Sequence, residues 1–346
     1  MGDLNAALAI IALLSLGLFF VTLWLTQHAA QWTCDVVAGV TICGLLYYTF
    51  YVWDEPVLAR MVPVSSLVVL GNWYPLFAGL LAGAVWNRVP GKAARKALFV
   101  GALGLAAFYS AVRPLQGVPP LCENRWAETI CLQTSQATCS PACAATLLGM
   151  YGIDATEGEM ADLCLTRKGT HWKGLYRALK FKTSDSLWDV EFFRCSYDEL
   201  RQMQSNPTPM ILTVEYNSDM ESQLSDGAKQ GWSPGISHSI VLVSFESDGT
   251  VSVADPFVGA QLWTERDFRL LWQGEGMRLV DRIPSDKRFP KLAVESLQLS
   301  NSSTWTDVSQ GSLKLGLTGG VFLRSLGLAA NMEPNTHPER KRWRFK

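Results

Sequence analysis

Four long apolar runs near the start of the chain constrain its fold more than any other feature. None of these runs contains an Asp, Glu, Lys or Arg residue, and they extend over Leu4–Thr26, Val36–Trp53, Met61–Asn87 and Ala97–Val112. Residues 1–113 hold only ten of the 61 Asp, Glu, Lys and Arg residues in the chain of 346. The charge therefore changes abruptly after residue 113, which indicates two regions that face different solvents.

The apolar runs have the length that a bilayer requires. A helix needs about 20 apolar residues to cross the hydrocarbon core. The first three runs meet this length, and Lys96 and Arg113 could extend the shorter fourth run by reaching towards the lipid headgroups. Four buried core helices in succession, with so few charges, would be unusual in a soluble protein. The sequence predicts an all-α transmembrane bundle in residues 1–113, with spans at about 4–26, 36–53, 63–86 and 97–112.

The distribution of basic residues predicts the orientation of these spans. Arg88, Lys92, Arg95 and Lys96 cluster between the third and fourth runs, whereas the loop between the first two runs contains no Lys or Arg. Basic loops are retained on the cytoplasmic side of a membrane. Four spans would then place the N-terminus and everything after Arg113 outside the cytoplasm.

The rest of the chain has an ordinary soluble composition. A Pro/Gly-rich linker is predicted at 114–127, a domain at 128–285, and a C-terminal extension with a basic tail at 286–346. Within the domain, helical patterns at 141–151, 156–165 and 172–179 precede a strand at 209–217 and a hairpin at 238–256. Helices followed by strands predict an α+β fold. The apolar stretch 313–330 contains Lys314 and Arg324, so no fifth span is predicted there.

Cys139 lies where a polar stretch meets an apolar, helical one, in "QTSQATCSPACAATLLGMYG". The N–H groups and the positive dipole end of a helix N-terminus favour a thiolate, which is the nucleophilic form of cysteine. Pro141 suits the first helical turn because its missing N–H costs nothing there. Cys143, one turn further on, is predicted to be a small core residue.

A nucleophilic thiol needs a base, and the soluble domain contains only His171 and His238. His171 is predicted to lie in a surface loop. His238 begins a predicted strand, and pairing about a turn near Ser247 places it diagonally across from Asp255 on one face. An imidazole oriented by a carboxylate forms part of a Cys-His-Asp triad. The alternative is a hydrogen-bonded histidine at a strand end.

Several motifs in this order and spacing resemble peptidase family C39, the papain-like processing domains of bacteriocin exporters. They are "QTSQATC", with Gln133 six residues before Cys139, then "YG", "KGTHWKGLYRALK", "HSIVLVSF" and "VSVADPFVG". The resemblance covers about residues 128–280. It implies a papain-like cysteine peptidase domain of the α+β class, in a bacterial protein of the inner membrane.

The resemblance also implies a role for each matching residue. Cys139 corresponds to the nucleophile, His238 to the base, Asp255 to the residue that orients this base, and Gln133 to the oxyanion donor. An amide beside the nucleophile can stabilise developing negative charge, and loss of such a donor typically costs about 10²–10³ in rate. The implied activity is a membrane-anchored cysteine endopeptidase that cleaves a peptide or precursor protein, for example a leader peptide, beside an exporter or another membrane partner.

The chain departs from the family pattern in two respects. Thr138 and Ser140 replace the usual Asp and Gly beside the nucleophile. No phosphate-binding loop of an ATPase is present, since "VPGKAA" lacks the first glycine and the hydroxyl of that motif. Two other functions therefore stay open, a catalytically silent peptide-binding domain on a membrane scaffold and an acyl transferase or amidase.

Composition argues against several other classes of function. The net charge of −1 gives no indication of nucleic-acid binding. No Cys-x-x-Cys pair or zinc-type Cys/His spacing occurs, so neither a metal nor another cofactor is predicted. If the domain lies outside the cytoplasm, disulfides are permitted, and Cys122–Cys131 is the pair we expect.

Overall fold

The computed structural model describes residues 2–204, 208–225, 228 and 233–282. Four of its helical segments are long and apolar enough to cross a membrane: Gly2–Thr26, Gln31–Tyr51, Leu67–Arg88 and Ala93–Leu115. The prediction of four apolar segments at the N-terminus is thereby confirmed. The predictions made for residues 286–346 lie outside the described part of the chain. The helices of the N-terminal region are α1 (Gly2–Thr26), α2 (Gln31–Tyr51), α3 (Pro56–Met61), α4 (Leu67–Leu70), α5 (Tyr74–Arg88) and α6 (Ala93–Val112).

The third apolar segment, Leu67–Arg88, is long enough to cross a membrane but is interrupted between two helices. Helix α4 ends at Leu70 and α5 begins at Tyr74. Asn72 stabilises the interruption, because its side-chain amide donates to the carbonyl of Ser110 at 2.8 Å and its Oδ1 accepts from the N–H of Tyr74 at 3.3 Å. Pro75 lies in the first turn of α5, where a residue without an N–H is tolerated.

Two glycines allow α1 and α5 to pack closely. A Cβ atom on Gly79 would lie 2.3 Å from the carbonyl oxygen of Ser15, and one on Gly83 would lie 2.7 Å from that of Phe19. Small residues four positions apart commonly permit such close contact between membrane helices. The outer faces of the helices expose large apolar side chains, as expected for contact with lipid; among them are Leu13, Trp24, Val40, Phe50, Leu98 and Leu105.

An α+β domain follows, as the sequence predicts. A short hairpin (β1, Arg125–Ala127; β2, Ile130–Leu132) precedes the helices α7 (Cys139–Met150), α8 (Glu157–Leu163) and α9 (Trp172–Lys182). A six-stranded antiparallel sheet then forms in the order β3-β8-β4-β5-β6-β7. Its elements are β3 (Trp188–Arg194), α10 (Tyr197–Met203), β4 (Met210–Val214), β5 (His238–Phe245), β6 (Thr250–Asp255), β7 (Gly259–Thr264), α11 (Glu265–Leu271) and β8 (Trp272–Asp281).

Helix α7 and strand β5 form the centre of the domain. Every residue from Ser140 to Leu148 is buried, and α7 packs against β5, α8 and α9. A helix that is apolar on all sides belongs in a protein interior. Because Cys139 is the first residue of this buried helix, its backbone is held by the packing of the whole element.

The β5–β6 hairpin has the predicted pairing. Val241 lies opposite Ala254, so the ladder extends towards a diagonal arrangement of His238 and Asp255. A bulge between Leu242 and Ser244 shifts the register by one residue near the turn. The bulge lies near the turn, so the pairing at the other end of the hairpin, where His238 and Asp255 lie, keeps the predicted register.

The membrane helices and the α+β domain share contacts at one end of the bundle. Arg177 of α9 forms an ion pair with Asp3 at 3.0 Å, and Arg194 pairs with Glu55 at 2.5 Å. Lys173 places its Nζ over the Trp53 ring, 2.9 Å from the ring centre. The start of α1 and the end of α2 therefore both face the domain, while the basic residues between α5 and α6 lie at the opposite end of the bundle.

Candidate active site

The nucleophile candidate Cys139 begins helix α7 and is half-buried. The turn before it is closed by Thr138, whose hydroxyl donates to the carbonyl of Ser135 at 2.9 Å and accepts from the Ser135 N–H at 3.2 Å. Thr138 is fully buried, so this turn is fixed from the inside of the domain. The sulfur consequently lies at the positive end of a rigid helix, where negative charge is stabilised.

His238 and Asp255 lie side by side beneath the surface. The Nε2 of His238 is 3.0 Å from Oδ1 of Asp255, and the two side chains are 5% and 0% exposed. Oδ1 of Asp255 also accepts the N–H of Phe257 at 2.7 Å, which fixes the carboxylate. Because Nε2 donates to the carboxylate, Nδ1 is the ring nitrogen left to act as a base.

The thiol of Cys139 and the imidazole of His238 lie close enough for each to shift the pKa of the other. Burial raises the pKa of the Cys139 thiol, but the hydrogen bond and charge of His238 outweigh it and hold that pKa below its ordinary value. Burial lowers the pKa of His238, whereas hydrogen bonds to Asp255 and Cys139 raise it above its ordinary value. Both shifts favour a thiolate beside an imidazolium.

Gln133 is held in the loop that leads into the site. Its N–H donates to the carbonyl of Pro256 at 2.7 Å, directly after Asp255. Its side-chain Nε2 donates to the carbonyl of Ser135 at 3.2 Å, which uses one of its two hydrogens. Among the described residues, its buried Oε1 has no hydrogen-bond partner. The structure thus ties Gln133 to the turn before Cys139 and to the end of β6.

A buried carboxylate fixes the next residue of the same loop. Glu157 is fully buried and accepts both the N–H of Thr134 at 2.6 Å and its hydroxyl at 2.7 Å. The loop carrying Gln133 is therefore anchored on one side to α8 and on the other to β6. Sequence analysis did not identify Glu157, because an acidic residue at a helix start is usually a solvent-exposed feature.

The other cysteine and histidine residues considered in the sequence analysis lie outside the candidate triad. Cys143 is buried and donates its thiol to the carbonyl of Ser239 at 3.1 Å, which confirms the core position. His171 is about half exposed and lies 3.4 Å from Asp54, at the start of α9 rather than near Cys139. Cys122 and Cys131 are both free thiols, so the expected disulfide was wrong. Burial raises the pKa of Cys122 to about 11.

Comparisons with known proteins identify the kind of domain that contains these residues. Residues 118–276 match the sequence profile of the Peptidase_C39 like family. No curated protein matches the sequence of this chain. This part of the chain is a C39 peptidase-like domain, and the resemblance seen in the motifs is thereby confirmed.

Solved structures with similarity to the chain include two peptidase domains of transporters. The peptidase domain of Streptococcus ComA, a bi-functional ABC transporter, is 18% identical, covers 44% of this chain and 96% of its own, and has a TM-score of 0.34. A double glycine motif protease from an AMS/PCAT transporter, in complex with the leader peptide, is 15% identical, covers 48% and 99%, and has a TM-score of 0.34. A periplasmic domain of the EpsAB fusion protein of the Vibrio vulnificus type II secretion system is 15% identical, covers 42% and 48%, and has a TM-score of 0.25.

Proposed function

We propose that this protein is a membrane-anchored cysteine endopeptidase in which Cys139 attacks a peptide carbonyl. The observation that supports this most is the position of His238, which bonds the buried Asp255 through Nε2 and lies close enough to Cys139 to lower the pKa of its thiol. This arrangement provides a nucleophile, a base and a group that orients the base.

The acylation step follows from these positions. The Cys139 thiolate forms a C–S bond to the carbonyl carbon, and the carbonyl oxygen becomes an oxyanion. The second hydrogen of the Gln133 amide and the N–H of Cys139, which has no partner within its helix, are the proposed donors to this oxygen. Imidazolium His238 gives its proton to the leaving amine, the C–N bond breaks, and a thioester remains.

Deacylation returns the site to its starting state. Neutral His238 takes a proton from a water molecule, whose oxygen forms a C–O bond to the thioester carbon. The C–S bond breaks, the acid product leaves, and the thiolate–imidazolium pair is restored. Asp255 keeps the same ring nitrogen protonated throughout, so that Nδ1 exchanges protons with thiol, amine and water in turn.

The substrate we propose is a peptide or precursor protein with a Gly-Gly sequence before the cleaved bond. One similar structure is described as a double glycine motif protease in complex with the leader peptide. We propose the same kind of substrate for the present chain. The chain also contains a Gly-Gly sequence of its own, at residues 319 and 320, which lie outside the described residues. It could therefore be a substrate for cleavage by the same protein. Cleavage after Gly320 would release the last 26 residues, 321–346, so intact mass is an informative measurement.

We propose that the peptidase domain lies outside the cytoplasm of a bacterial cell, at the inner membrane. The support is that basic residues lie between α5 and α6, at the end of the bundle opposite the domain. In intact cells, an impermeant maleimide should label Asp185→Cys and not Lys92→Cys, since both positions are exposed. The reverse labelling pattern would place the domain in the cytoplasm.

The decisive experiment uses the full chain in detergent micelles with two probes. Internally quenched peptides with a central Gly-Gly report cleavage, and iodoacetamide reports thiol reactivity. We expect the wild type to cleave the peptides and to be alkylated fastest at Cys139. Cys139→Ala should abolish both signals, whereas Cys195→Ala, which removes a half-buried thiol of the same domain, should leave both unchanged.

Three results would reject the proposal. The absence of both cleavage and preferential alkylation at Cys139 would exclude a cysteine peptidase. Peptide binding that is equal in the wild type and Cys139→Ala, without turnover, would indicate a peptide-binding domain. Formation of a new amide with an added amine, in place of hydrolysis, would indicate an acyl transferase.

A further inference from the structure

Two buried serine hydroxyls beside the nucleophile have no role in the triad. The Oγ of Ser140 lies 2.8 Å from the Oγ of Ser239 and 4.0 Å from the Sγ of Cys139. The two serines are only 6% and 8% exposed. Ser140 belongs to the first turn of α7, and Ser239 follows His238 in β5, so the pair joins the two elements that carry the nucleophile and the base.

Ser239 is held in place by its backbone as well. Its carbonyl oxygen accepts the thiol of Cys143 at 3.1 Å, and its backbone hydrogen bond to Cys139 helps to lower the pKa of that thiol. Since Ser239 is fixed in β5 on one side and against α7 on the other, its hydroxyl has a defined position. Ser140 therefore faces an acceptor on each side, the oxygen of Ser239 and the sulfur of Cys139.

We propose that Ser140 donates a hydrogen bond to the Cys139 thiolate and that Ser239 is a positioning residue that turns the Ser140 hydroxyl towards the sulfur. The proposal rests on the peptidase function proposed above. A thiolate can only accept hydrogen bonds, so the Ser140 O–H points to sulfur when the thiol is ionised. The Ser239 O–H then donates to the Ser140 oxygen, and each proton stays on its own oxygen.

This donor is a feature of the present chain and not of the family pattern. The C39 pattern has glycine directly after the nucleophile, and glycine has no hydroxyl to donate. Hydrogen bonds to charged groups are stronger than those between neutral groups. At 4.0 Å the contact is long even for sulfur, so we expect a modest contribution, about 0.5 to 1 pH unit in the ionisation of Cys139.

The experiment measures the rate of Cys139 alkylation by iodoacetamide as a function of pH, in the full chain, by mass spectrometry of the modified peptide. Ser140→Ala should move the midpoint upwards by about 0.5 to 1 pH unit. Ser239→Ala should move it in the same direction by less, because the Ser140 donor remains but is no longer oriented. Ser252→Ala is the matched control, since this serine is buried in β6 of the same sheet and its hydroxyl has no partner among the described residues.

The outcomes separate this proposal from the function it rests on. A low midpoint in the wild type that neither Ser140→Ala nor Ser239→Ala changes would overturn the serine roles and leave the peptidase proposal intact. A wild type in which Cys139 ionises like an ordinary thiol would overturn both. If Ser140→Ala does not fold, Ser239→Ala decides, and an unchanged midpoint in that variant overturns the proposal.

Discussion

Replacement of Asp255 by Asn tests how the carboxylate supports His238. Oδ1 of Asp255 receives two donors, the His238 ring at 3.0 Å and the Phe257 N–H at 2.7 Å. Its Oδ2 is buried and has no partner among the described residues. In Asp255→Asn the amide oxygen should occupy the Oδ1 position, because the amide nitrogen there would oppose the Phe257 N–H. Asn should therefore preserve the geometry and the ring tautomer while removing the charge.

The magnitude follows from the loss of a charged acceptor. A hydrogen bond to a charged group contributes about 1.5–3 kcal/mol, compared with about 1 kcal/mol for a neutral pair. The imidazolium thus loses about 1–2 kcal/mol of stabilisation, which corresponds to roughly one pKa unit. Because a thiolate at Cys139 depends on this imidazolium, the population of the ion pair should decrease about tenfold relative to the neutral pair.

The assay is the pH profile of Cys139 alkylation, together with peptide cleavage. In the wild type the pKa of Cys139 is lowered and that of His238 is raised, so the ion pair forms at low pH and is lost only when His238 deprotonates at high pH. Asp255→Asn should move the upper limit of this window downwards by about one pH unit, because the imidazolium loses its charged acceptor.

Two results would refute this reasoning. A loss of more than about 10³ in cleavage would mean that the amide had flipped and imposed the wrong ring tautomer. A pH window identical to that of the wild type would mean that the charge of Asp255 does not reach His238. The double variant that combines Asp255→Asn with Cys139→Ala provides the background rate of labelling at other thiols.

Two predictions concern the membrane region and its contact with the domain. Gly79→Leu should lower the melting temperature in detergent strongly, because its side chain would overlap the α1 backbone and overpacking costs about 1–3 kcal/mol or more, whereas Gly101→Leu, which meets open space, should have little effect. Arg177→Ala should reduce the free energy of unfolding by about 2–4 kcal/mol, because it leaves Asp3 without its buried partner. The control is Arg269→Ala, which removes an exposed arginine and should change the free energy of unfolding by less than about 1 kcal/mol. Equal effects of the two arginine variants would contradict this prediction.

The parts of the fold that local patterns determine could be predicted from the sequence. Uncharged runs of membrane length predicted the four apolar segments, because a helix that crosses the hydrocarbon core of a bilayer must consist mainly of apolar residues. The diagonal of His238 and Asp255 followed from strand pairing, which is a matter of counting residues from a turn. The position of Cys139 at a helix start followed from the polar-to-apolar change around it.

The features that the sequence did not reveal depend on contacts between distant residues. Ser140 and Ser239 are 99 positions apart, and no local pattern indicates that their hydroxyls meet. Asn72 lies within the third apolar run, and the partner of its side-chain amide is a carbonyl 38 residues away in α6. A polar residue within an apolar run can be tolerated or can break a helix, and only its partner decides between the two.

Helix α9 links the membrane region to the peptidase-like domain. On one side, Lys173 and Arg177, one turn apart, bind Trp53 and Asp3 of the membrane region. On the other, Leu175 and Leu179 are buried where α9 packs against α7 and α8.

This arrangement has a cost, since burial lowers the pKa of Lys173 to about 7. A buried lysine destabilises a domain unless a contact compensates for it, and here the compensating contact is the face of Trp53. The lysine would lose that contact if the domain separated from the bundle. Helix α9 thus packs against α7 on one side and against the membrane region on the other, and the two regions belong to one compact unit.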